Sequence, residues 1–167
     1  MGGVVITVND LMQTGYVYSL SEPEGKNFAP RFTPFLSPAE MLSQGVFEGK
    51  YMNDCREEFP ESWFAKAKLS DMPDEAMNLF GIKSRQSLSA WRERDWIIGD
   101  DPRGWFQWYC RYYRGRRDNR VDERQVRRWL NFTRHAGQIR KNCVSGDLSC
   151  RPRQRQALLQ WSHDPFI

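Results

Sequence analysis

Four carboxylates stand close together at Asp54, Glu57, Glu58 and Glu61, at the end of a stretch that mixes turn residues with aromatics and shows no clean period. Acids at such spacing can form a general acid–base pair or hold a cation, and equally can serve as partners for cations elsewhere. The cationic candidates lie later: Arg124, Arg127, Arg128, Asn131, Arg134, Gln138 and Lys141 recur at intervals of three and four. That spacing puts them on one side of a helix, suited to a phosphate backbone or an acidic surface. Trp105, Trp108 and Tyr112, interleaved with Arg111 and Arg114, offer rings and guanidiniums for a cleft that takes an anionic or aromatic, nucleotide-like substrate. Cys143, Cys150, His135 and His163 have metal-ligand chemistry but no C-x-x-C knuckle, so no metal and no cofactor is expected.

The elements that must position these groups follow from capping and periodicity. Asp101 and Pro102 form a helix start and Gly115 a stop, with Trp105, Phe106, Trp108, Tyr109, Cys110, Tyr112 and Tyr113 around most of the circumference between them. A helix apolar on nearly every side is buried on nearly every side, so the stretch 101–117 is expected to be the central helix, with Gln107, Arg111 and Arg114 as its polar stripe. Residues 121–142 read as the longest helix. A final helix starts near Pro152 and leaves Arg151, Arg153 and Arg155 beside its N-terminus, where they need an anion or a carboxylate neighbour. Val4–Val8 and Tyr16–Leu20 suit a small hairpin or two edge strands. Ser37-Pro-Ala-Glu40 is a capping box that opens a short helix, and residues 62–68 suit another.

Residues 74–97 carry a more specific pattern. A first helix would place Ala76, Leu79 and Phe80 inward and end at Gly81; Ser84 then caps a second with Leu88 and Trp91 inward and Arg85, Gln86, Ser89 and Arg92 outward. This segment resembles a helix-turn-helix DNA-binding motif. The resemblance implies a second helix docked in a major groove, where Arg85 and Gln86 are residue types that read guanine and adenine edges. The spacing from Gly81 to Leu88 is one residue longer than the usual motif, and Met77 stands where a small residue is common.

The totals frame these candidates. A chain of 167 residues, 40% hydrophobic and 28% charged, fits one globular domain, 1–167. Residues 1–100 carry 10 Lys and Arg against 15 Asp and Glu, whereas 101–167 carry 15 against 6, fourteen of the fifteen being Arg. No apolar run reaches the length of a membrane span, so no membrane partner is expected; an intracellular location, cytoplasmic or nuclear, with reduced thiols is. The fold class expected is mainly α: a helical domain with a small N-terminal β element, built around the aromatic helix. The function expected is nucleic-acid binding through Arg-rich helices, DNA before RNA. Two rivals remain: an enzyme with the aromatic–arginine cleft and a base from residues 54–61 acting on a small anionic ligand, and a scaffold for an acidic protein.

Overall fold

The computed structural model describes residues 3–50, 53–85 and 97–167. Strands β1 (Val4–Asn9) and β2 (Thr14–Leu20) form an antiparallel hairpin with Ile6 opposite Tyr18 and Val8 opposite Tyr16. Its turn is held by Asp10, whose carboxylate accepts the N–H groups of Met12 and Gln13. Helix α1 (Pro38–Gln44) starts on the Ser37–Glu40 capping box, with both reciprocal hydrogen bonds present. The described chain then runs through 3₁₀ turns at Phe47–Gly49, Arg56–Glu58, Glu61–Phe64 and Glu75–Met77. Helices α2 (Trp105–Arg114), α3 (Asn119–Asn131), α4 (Thr133–Asn142) and α5 (Pro152–Gln160) follow.

The α2 helix is the centre of the core. Trp108, Tyr109, Cys110 and Arg111 are all 0% exposed, because every side of the helix has a neighbour. On one side Phe32, from an irregular segment, meets the rings of Trp105, Trp108, Tyr109, Tyr112 and Trp129 at 5.1 to 6.3 Å. Elsewhere Phe47 packs on Phe106 and Trp63 on Tyr113. The polar tips are satisfied: Trp108 Nε1–H donates to Asp122 at 2.8 Å, Trp105 Nε1–H to the Gln125 carbonyl, and Tyr109 Oη–H to the Leu36 carbonyl. Gly115 ends the helix at φ 130°, with its N–H on the Arg111 and Tyr112 carbonyls. A Cβ there would meet the Glu22 carbonyl oxygen at 2.0 Å, so the same glycine lets the chain leaving the hairpin dock, Ser21 and Glu22 both donating to its carbonyl.

Several expectations are corrected here. The fold is not mainly α: among the described residues 41% are helical and 9% lie in the two-stranded sheet. Between residues 21 and 85 α1 is the one described α-helix, because Pro23, Pro30, Pro34, Pro60 and Pro73, with Gly25, Gly45, Gly49 and Gly81, break every longer run. The expected helices at 62–68 and 74–80 are each reduced to a 3₁₀ turn, and Ala76 and Leu79 are exposed rather than inward. Helix α2 begins at Trp105 with Gly104 as its cap, not at Asp101. Asp101 is drawn into the core by two guanidiniums instead, which bond its carboxylate better than a helix end would. The expected single helix 121–142 is two, α3 and α4, meeting at Phe132. Cys143 and Cys150, expected as reduced thiols, are joined in a disulfide that closes the loop between α4 and α5.

Candidate nucleic-acid interface

Most of the arginines from Arg85 onward fall into two populations. The inner set is bonded within the protein. Arg111 donates to both Glu58 oxygens at 2.7 and 2.9 Å, to Asp101 at 2.9 Å, and to the Asp100 carbonyl and Gln13 at 2.8 Å. Arg116 takes Asp101 from the other side at 2.8 and 2.7 Å, and Tyr18 Oη–H donates to Glu58 at 2.6 Å. Burial opposes the charged form of Arg111, yet the bonds and charge of Glu58, with Asp101, hold its pKa above the ordinary value. Burial beside Glu58 likewise pushes the Tyr18 phenol far up. Two cations and two anions here satisfy one another and pin the hairpin, the 56–58 turn and α2 together. Arg103 bonds Asp54 at 2.8 Å and lies 3.4 Å from Asp10, and Arg85 pairs with Glu48 at 3.2 Å. Arg155, 0% exposed, is held by the main-chain oxygens of Cys150, Pro165 and Ile167.

The outer set lies mainly on α3 and α4, with Arg151 and Arg153 also exposed at the start of α5. Asp118 caps α3 by accepting the Arg120 N–H, while Gln125, Val126 and Trp129 are buried along its inner side. That leaves Arg120, Arg124 and Arg127 exposed on α3, and Arg134, Arg140 and Lys141 exposed on α4. Arg120 and Arg127 reach only carboxylates of their own helix, Asp118 at 3.4 Å and Glu123 at 3.2 Å, with side chains 89% and 63% exposed. Contacts of that kind are nearly neutral energetically and are readily exchanged. Arg124, Arg134 and Arg140 make no ion pair among the described residues. Arg128 is half-buried, donates to Gln125 at 2.9 Å and lies over the Trp161 ring; burial and the neighbouring Arg124 bring its pKa down to about 10.

Beside this face a cleft of about 530 Å³ opens between α3–α4 and α5. Trp105, Phe106, Phe132 and Trp161 wall it, Arg128, Arg134 and His135 rim it, and no Asp or Glu lines it among the described residues. Its floor includes Phe47, held at φ 53° next to Glu48 at φ 55°. Such left-handed conformations cost about a kilocalorie per mole or more each. The Phe47 N–H is held by Gln160 and the Glu48 N–H by Asn78.

Of the cleft expected from sequence, Trp105 alone lines this one. Trp108, Arg111 and Tyr112 are core, since Asp122, Glu58 and the Ala29 N–H take their polar groups. Arg114 donates to the Glu58 carbonyl and lines a second cleft, of about 740 Å³, between β1 and residues 53–60. Asp54, Glu57 and Glu58 line that second cleft; Glu57 and Glu61 are exposed, whereas Asp54 and Glu58 are held by Arg103 and Arg111. The acids and the aromatic cleft are therefore on different parts of the molecule. Cys55, also there, is a buried thiol whose pKa burial pushes up to about 12, too high for a nucleophile at neutral pH. The sulfurs of Cys143 and Cys150 are bonded to one another, and no group of three or more metal-ligating side chains occurs among the described residues. Gln86, Ser89 and Arg92 lie outside the described residues; Arg85 turns inward to Glu48, and Ser84 Oγ–H donates to the Arg153 carbonyl.

Phe132, His135 and Trp161 are the cleft residues that the sequence did not announce. Phe132 and Trp161 read as ordinary core positions of their helices and His135 as a stray metal ligand, because nothing local shows that the three converge. Compared with protein-family models, with curated proteins and with solved structures, the chain matches none. No helix among the described residues is long and apolar enough to cross a membrane.

Proposed function

We propose that the chain binds nucleic acid through the outer face of α3 and α4, with Arg120, Arg124, Arg127 and Arg134 neutralising successive phosphates. One observation carries this reading: the inner arginines are matched by carboxylates or backbone oxygens, whereas Arg124, Arg134 and Arg140 stand exposed without a counter-charge among the described residues. A run of exposed cations along adjoining helices displaces counterions from a phosphate backbone on binding. The enzyme reading has less support, because the 54–61 acids stand apart from the aromatic cleft.

The test is fluorescence anisotropy with labelled duplex DNA, single-stranded DNA and RNA at about 50 and about 200 mM salt. Binding to at least one should weaken by two orders of magnitude or more across that range if most of the face engages phosphate. Binding that ignores salt, or binding only to acidic polypeptide, would overturn the proposal.

A further inference from the structure

The cleft beside the arginine face has the chemistry of a base-stacking site. Its rings belong to one series of contacts that leads from the core to the surface. Tyr109 stacks on Trp105 at 5.2 Å, Trp105 on Trp161 at 4.7 Å, Trp161 on Phe132 at 4.8 Å, and Phe132 meets His135 at 4.4 Å. Tyr109 is 0% and Trp105 4% exposed, while Trp161, Phe132 and His135 are only half-buried. The outer end is therefore a rigid aromatic surface held from behind by the core. Base–aromatic stacking is strongest on such a preorganised platform.

The polar groups at that end point to the same ligand. The Gln154 side-chain amide lies 3.1 Å from His135 Nδ1 and donates to it, so the neutral ring carries its proton on Nε2. Burial and the neighbouring Arg134 lower the His135 pKa, which keeps the ring neutral at neutral pH, while the Gln154 contact selects the tautomer. The Nε2–H is thus a fixed donor with no partner among the described residues. Arg134 is adjacent and exposed, and Arg124 is exposed on α3. With no acid in the lining, nothing in the described cleft repels a phosphate. A volume of about 530 Å³ is in the range of small-ligand sites.

We infer that this cleft takes an unpaired nucleobase of a single strand, stacked on the Phe132–His135–Trp161 end, with its flanking phosphates on Arg134 and the α3 arginines. The inference rests on the nucleic-acid reading and adds to it: the protein selects single strand over duplex, because paired bases cannot leave their stack without an energetic penalty.

The experiment uses the full chain and a single-stranded oligonucleotide carrying one 2-aminopurine, with abasic, duplex and RNA counterparts and a nucleoside monophosphate. Stacking should quench the 2-aminopurine, and the all-abasic strand should bind at least about fivefold more weakly than the intact one at equal charge. His135→Ala and Phe132→Leu should lose the quenching. Arg124→Gln should lower affinity for intact and abasic strands alike, leaving the quenching per bound strand unchanged. A far-UV spectrum and melting midpoint establish that each variant is folded; if Phe132→Leu is not, His135→Ala decides alone. DNA, RNA and the free monophosphate identify which source of unpaired base is preferred. Duplex bound as tightly as single strand, or abasic bound as tightly as intact, overturns the inference and leaves the arginine face standing. Failure of every nucleic acid to bind overturns both.

Discussion

Arg111 is enclosed by Glu58, Asp101, the Asp100 carbonyl and Gln13, and no solvent reaches its side chain. Truncating it would leave Glu58 buried without a cation and Asp101 with Arg116 alone. Arg111→Leu should therefore cost about 3–5 kcal/mol in urea unfolding, as breaking one side of a buried pair does. A loss under about 1 kcal/mol would mean the pair is dispensable to the fold. Trp108→Ala should be as severe, about 3–5 kcal/mol, since the ring is 0% exposed and its Nε1–H satisfies Asp122. The histidines set a pH dependence. Burial lowers the His163 pKa, against the opposing effect of its bond to the Trp129 carbonyl, and burial with Arg134 lowers that of His135. A depressed histidine stabilises the fold fully above its ordinary pKa of about 6.5 and loses that stabilisation as pH falls through the folded value. The melting temperature should thus fall from pH 7.5 to 5.5, and His135→Gln with His163→Gln should flatten the fall. A midpoint that rises on acidification in this window would contradict the assigned burial.

At the scale of elements, the sequence was legible where the local signals and the tertiary contacts agreed. The Ser37–Glu40 box opens α1, Pro152 opens α5, and Gly115 closes α2. It misled where a distant partner outbid a local one. Asp101 has the form of a helix cap, but its partners are Arg111 and Arg116, ten and fifteen residues away. Residues 74–80 have helical spacing, yet Leu79 N–H donates to the Gly45 carbonyl and Asn78 to Glu48 and Ile82, so the chain leaves the helix after one turn. The Cys143–Cys150 pairing depends on how α4 and α5 meet, which spacing alone does not give. The bond closes a short loop, so replacing both cysteines with Ser should lower stability by about 2 kcal/mol through the added freedom of the unfolded chain. Thermal melts with and without reductant check this; identical midpoints for the wild type would show that the bond is not made.

For the whole molecule, the division between an acidic first half and a basic second half is partly internal. Asp54 and Glu58 of the first half are matched by Arg103 and Arg111 of the second, whereas Arg85–Glu48 and Arg116–Asp101 pair within their own halves. Exposed acids remain elsewhere on the surface, but along α3 and α4 the exposed charges are Arg120, Arg124, Arg127, Arg134, Arg140 and Lys141 against Glu123 alone, in keeping with the three- and four-residue spacing from Arg124 to Lys141. The spacing revealed that face, but it did not separate the structural arginines from the exposed ones. Arg111 and Arg124 are equally polar in sequence, and only the packing around α2 distinguishes them. The most direct test of that division is the slope of log affinity against log salt, measured for the wild type and for Arg124→Gln with Arg134→Gln on the same single strand. The slope should shrink by about 1.5, at roughly 0.7–0.9 per phosphate contact removed, while the unfolding midpoint stays within error of the wild type. An unchanged slope, or a slope change accompanied by loss of the fold, would contradict the claim that these arginines face nucleic acid rather than the protein.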